Sequence, residues 1–145
     1  MKTKLITTVL LASLLLAAPA AAETRHLSGT FRADPDAAIS MDLHIRRGAP
    51  VSVTNLEFTG LDYECEGSGR TGQMDAELGR ATVFTSDRGG FEFDAEPSIP
   101  SLDGVVAGGL LNRSASKVKG GVVYFFQDAS GATCQSIFDG RYVAR

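Results

Sequence analysis

A chain of 145 residues with 43% hydrophobic and 21% charged side chains has the composition of a folded domain, not of a disordered or fibrous one. Its formal charge is −3, and the acids are scattered along its length, which disfavours nucleic acid and anionic lipid as partners.

Residues 1–22 read MKTKLITTVLLASLLLAAPAAA. Lys2 and Lys4 precede an apolar run from Leu5 to Leu16, and Ala20, Ala21 and Ala22 supply the small residues that a signal peptidase requires. This is the pattern of a bacterial-style secretory signal peptide, too short in its apolar core to be a membrane span. Cleavage is expected after Ala22, giving a mature chain of about 123 residues, 23–145, that forms a single domain. Removal of Lys2 and Lys4 from the 14 basic residues leaves 12 against 17 acids, a formal −5. No cysteine follows the cleavage point to carry a lipid, and no later segment approaches the length of a transmembrane helix. The expected location is the periplasm or the medium.

The remainder alternates. HLSGTFR and AISMDLHIR flank the turn formers Asp34-Pro35-Asp36. In the second, Ile39, Met41, Leu43 and Ile45 share one face of a strand, with Ser40, Asp42, His44 and Arg46 on the other. A hairpin about that turn sets Phe31 opposite Ile39 and His26 opposite His44. In PVSVTNLEFTGLDYEC, Val51 and Val53 keep one phase, Leu56 and Phe58 take the other, and Leu61, Tyr63 and Cys65 shift again. Gly60 is the expected bulge. EGSGRTG then turns the chain. Met74, Ala76 and Leu78 mark the next strand and Phe91, Phe93 and Ala95 another. SDRGG, EPSIPSLDG and QDASGA are further turn signals. Five consecutive apolar residues, Val122 to Phe126, predict a central strand buried on both faces. With sixteen glycines and no helical stripe, the expectation is an all-β fold: an antiparallel two-sheet β-sandwich of about eight or nine strands, with a closed meander β-barrel as the alternative.

Two cysteines in an exported chain are expected to pair. Cys65 alternates with Leu61 and Tyr63, and Cys134 with Phe138 and Tyr142, so both sulfurs face inward. A Cys65–Cys134 disulfide closes a long loop and contributes about 4 kcal/mol in the chain-entropy treatment. A reactive thiol needs a cationic neighbourhood, and Cys65 sits between Glu64 and Glu66. His26 and His44, on outward positions, are weak candidates for a metal, with Asp42 beside them. Two ligands make a poor site, so no metal and no cofactor is expected. The DPD turn lacks the spaced oxygens of a calcium loop. No G-x-S-x-G elbow marks a nucleophile, and no glycine run has the spacing of a phosphate loop. No catalytic residues are assigned.

Gly29 and Phe31, the strand ending at Cys65, Phe91 and Phe93, Val106 and Gly108, then Cys134 and the closing Tyr142-Val143-Ala144-Arg145 together resemble a broad group of small exported bacterial β-domains of largely unassigned role. The resemblance implies an antiparallel β fold with one cross-strand disulfide and carries no catalytic residues. Tyr63-Glu64-Cys65 is also similar to the Y-x-C strand of the periplasmic c-type lysozyme inhibitors, small β-barrels whose S-G-x-x-Y loop has no counterpart here. The expected function is non-enzymatic: binding an envelope or extracellular protein or glycan, or a structural role. The alternatives are an inhibitor of a secreted hydrolase such as lysozyme and, third, a small hydrolase relying on His26 or His44.

Overall fold

The protein is described by a computed structural model covering residues 21–87, 90–95, 104–137 and 139–145. Residues 1–20, most of the EPSIPSLDG turn and Phe138 lie outside the described residues. The fold is all-β and antiparallel, as the alternation predicts. Ten strands are present among the described residues: β1 (Glu23–Phe31), β2 (Ala38–Arg46), β3 (Ala49–Cys65), β4 (Arg70–Leu78), β5 (Ala81–Thr85), β6 (Phe91–Ala95), β7 (Val105–Leu111), β8 (Val118–Gln127), β9 (Thr133–Ser136) and β10 (Arg141–Ala144).

The chain runs as a meander. β4 and β5 lie end to end along the same side of β3, so that Leu56 faces Leu78 and Val53 faces Ala81. From β5 each strand pairs with the next as far as β8. The first half of β8 then carries β10 and its second half carries β9. β10 returns to β1, and β9 returns to the end of β3. All ten strands therefore belong to one sheet, and the opposed layers of this sandwich-like fold are joined into a hydrogen-bonded circuit.

One apolar core fills the interior. Ile39, Met41, Leu43 and Ile45 are all buried, as are Leu56, Phe58, Leu61, Phe93 and Tyr124. Phe31, Phe58 and Tyr142 pack with ring centroids 5.8 to 6.0 Å apart, Tyr142 edge-on to both phenylalanines, tying β1, β3 and β10 together. Gly29 is required where β1 meets β10, because a Cβ there would run into the Val143 carbonyl. The expected bulge at Gly60 is present: its φ is +69°, and the pairing of β3 with β4 slips between Phe58 and Leu61.

Three local expectations are corrected. Val51 does not share the face of Val53. His44 pairs with Ser52 and Ile45 with Pro50, so Val51 is the extra residue of a bulge and points outward. A further slip of β3 against β2 falls beside Asn55, whose φ of 49° is tolerated by asparagine. Nor is β8 buried on both faces. It is central, but Val123 and Phe125 point outward and are 67% and 49% exposed, because no described element covers that side. Finally, Gly29 rather than Phe31 faces Ile39. The β1–β2 turn is organised by Asp34, whose Oδ1 accepts the Asp36 and Ala37 amides, and Phe31 pairs instead with Tyr142. The turn reading of DPD is sufficient to explain those residues.

Candidate interaction surface

The cysteines form the expected disulfide, Cys65–Cys134, between directly opposed residues of β3 and β9. Both are buried. Beside them lies Asp128, which anchors the β8–β9 turn by accepting the Ser130 hydroxyl and the Ser130 and Ala132 amides. Those bonds, led by the Ser130 hydroxyl, hold the Asp128 carboxyl below its ordinary range, with Arg70 adding a weaker contribution. The sulfurs and this carboxylate lie within 4.8 Å of one another, but bonded sulfurs are not thiolate ligands. Sequence reasoning overlooked Asp128, although an Asp followed by Ser and Gly within a turn is a recognisable Asx signal. A shallow depression of about 530 Å³ opens against the bridge, lined by Glu64, Glu66, Gly67, Gln135 and Ile137 among others. Tyr63, of the Y-x-C match, packs edge-on against Phe126 at 4.9 Å and plays a packing role.

The histidines share the outer face of β1–β2 but are not opposite each other. His26 faces Asp42 and His44 faces Thr24, a displacement of two residues from the expected register. His26 Nδ1 lies 2.9 Å from Asp42 Oδ1, while Asn55 Nδ2 donates to Asp42 Oδ2 at 2.7 Å. These two hydrogen bonds, His26 foremost, lower the Asp42 pKa. His44 is held between the hydroxyls of Thr24 and Thr54. The structure thus spends both imidazoles on cross-strand hydrogen bonds, and the three-residue cluster His26, Asp42, His44 does not come together as a ligand set among the described residues.

The feature that does stand out is the outer face of β5–β8 and β10. Hydrogen-bond register aligns its outward residues in rows across the strands. One row reads Phe84, Glu92, Leu110, Lys119, Val143. The next reads Asp94, Gly108, Gly121, Arg141, and the third is Val106 opposite Val123. Phe125 follows on β8, its ring lying over Gly104. Of the eight large apolar residues exposed among the described residues, six are here: Phe84, Val106, Leu110, Val123, Phe125 and Val143. Single exposed apolar residues are ordinary, whereas six gathered on one face and interspersed with charge mark a candidate interaction surface. No protein family, characterised protein or solved structure matches the chain. The acids Glu92 and Asp94 stand on β6, Lys119 on β8 and Arg141 on β10. Arg141 is bridged to Asp139 through Nε at 3.0 Å, and its side chain remains well exposed. Sequence reasoning missed this face because VVAGGLL and VVYFF are apolar in both phases, and a two-phase apolar run reads as buried.

Proposed function

We propose that the protein is an exported, non-enzymatic binding domain whose working surface is the outer face of β5–β8 and β10, and that its partner is a protein. The observation that carries this reading is the concentration of exposed apolar side chains on one face of an otherwise well-filled domain. Aliphatic side chains dominate it, which suits the apolar core of a protein interface better than the flat aromatic platform and dense hydrogen bonding that a glycan requires. The disulfide is compatible with an oxidising destination outside the cytoplasm, in keeping with the signal-like residues 1–22. The engagement of His26 with Asp42, and of His44 with two threonines, supports a structural role for the imidazoles.

A photo-crosslinking residue placed at Val123, with a control at Thr24 on the β1–β2 face, tests the reading in the producing cell. Specific protein adducts are expected from Val123 alone. Equal adducts from both positions, or none from Val123, contradict it. An adduct with a secreted hydrolase that loses activity in the complex identifies the inhibitory version of the same function.

A further inference from the structure

Resting on that reading of the face, we infer that its partner is a second copy of this chain, joined across a twofold axis running along the strands between β7 and β8.

The face holds a glycine that the fold does not need. Glycine inside a strand is destabilising, and it is retained where a bulge or a close approach requires it. Gly121 points outward at the centre of the face. A Cβ on it would meet nothing closer than the Gly140 carbonyl oxygen at 3.8 Å, and its backbone is in the ordinary extended region. Its neighbour in the row, Gly108, would bring a Cβ only against the movable carboxylate of Asp94 and, at 3.3 Å, the Phe93 carbonyl oxygen. The two glycines leave a trough bare of side chains between the Leu110–Lys119 row and the Val106–Val123 row. The interior gives Gly121 no reason to be glycine, so the reason is on the other side: another surface comes close there.

The charges on the face also complement one another across such an axis. A twofold axis along the strands preserves each row and exchanges β6 with β10 and β7 with β8. In the glycine row it sets Asp94 against Arg141 of the second copy, and Gly108 against its Gly121. In the next row Val106 meets Val123. In the first, Glu92 meets Val143 of the second copy and Leu110 meets its Lys119, whose long stem covers the leucine while its ammonium reaches toward Glu92. Acid therefore meets base at both ends of the glycine row, and apolar meets apolar in the Val106–Val123 row, from one patch that faces itself, as an isologous interface requires. Packed sheets run within about 30° of alignment, which this axis accommodates. The four strands that the axis pairs, at about 4.8 Å spacing, and three rows about 7 Å apart give a face of roughly 19 by 20 Å, smaller than a standard interface, so association is weak and concentration-dependent.

Sedimentation velocity of the purified protein over a wide concentration range is the test, with circular dichroism as the folding control. The mass is expected to rise from one chain to two. Val123→Asp and Gly121→Val are expected to weaken dimerisation at least about tenfold, while both variants stay folded because both positions face outward. Asp94→Arg alone and Arg141→Asp alone weaken it by a similar factor, and the double exchange restores it to within about threefold of the original. A protein that remains monomeric throughout overturns the inference, as does a dimer indifferent to Val123→Asp, or a double exchange no better than either single change. A monomer whose Val123 still crosslinks specifically to a different protein defeats self-association and leaves the binding function standing. A monomer without such adducts defeats both.

Discussion

Opening the Cys65–Cys134 bridge perturbs the fold in a way whose size and origin are both calculable. The cysteines are 69 residues apart. A cross-link over a loop of that length removes about 15 cal/mol/K from the unfolded chain, or about 4 kcal/mol at room temperature. Because folded domains are stable by only about 5–15 kcal/mol, that is a large share. Each sulfur is also buried, so Cys65→Ala or Cys134→Ala adds about 1 kcal/mol of lost packing. The two single variants should therefore each lose about 5 kcal/mol, and the double variant only about 1 kcal/mol more, since the loop can be opened once. Urea unfolding followed by far-ultraviolet circular dichroism measures this. The slope against denaturant should also steepen, because the unlinked unfolded chain exposes more surface. Single-variant losses that simply add in the double variant, with an unchanged slope, would refute the unfolded-state argument and place the stabilisation in native contacts.

Burial raises the pKa of Tyr142 and, with help from Asp62 and Asp34, that of Tyr124, both of which donate to backbone carbonyls. Raised folded values mean that their contribution is complete below the unfolded tyrosine value of about 10 and is lost as pH climbs above it; an ultraviolet titration should therefore show fewer than three reversible tyrosinates before unfolding, and three ionising together in the folded protein would contradict this. Asp34→Ala should cost about 1–2 kcal/mol by removing the acceptor of two turn amides, whereas Asp34→Asn keeps that acceptor and relieves a buried Oδ2 that has no partner among the described residues; thermal melts of the two variants decide it, and equal losses would count against the turn argument. Gly29→Ala should cost about 2 kcal/mol or more, since its Cβ collides with the Val143 carbonyl, while Gly121→Ala measured at monomer concentrations should be neutral or stabilising by up to about 1 kcal/mol.

The parts of this fold that were legible are those decided by neighbours in sequence. Alternation in AISMDLHIR and GFEFDAE placed Met41 and Phe93 inside, Gly60 announced its own bulge, and the inward phase of Cys65 and Cys134 agreed with the bridge between them. Register was less legible because it depends on how many residues a turn consumes. The Asx turn at Asp34 shifts the β1–β2 pairing by two residues, which is enough to part His26 from His44. The bulges at Val51 and Asn55 carry no glycine to betray them.

The outer face was illegible for a different physical reason. Valine and phenylalanine in both phases of β8 state that each side of the strand is compatible with burial, but not what does the burying. In the parallel sheets where such runs are common, helices cover the second face. Here no described element does, and the circuit of strands has enclosed its core without using Val106, Val123 or Phe125. A side chain that is neither needed inside nor favoured in water adds nothing to the isolated domain. The same holds for Gly121, which weakens its strand with no steric return from within. Apolar residues that the core does not use, and a glycine that the backbone does not require, converge on adjoining rows of one face. Both become intelligible at once if that face is an interior in the working form of the protein.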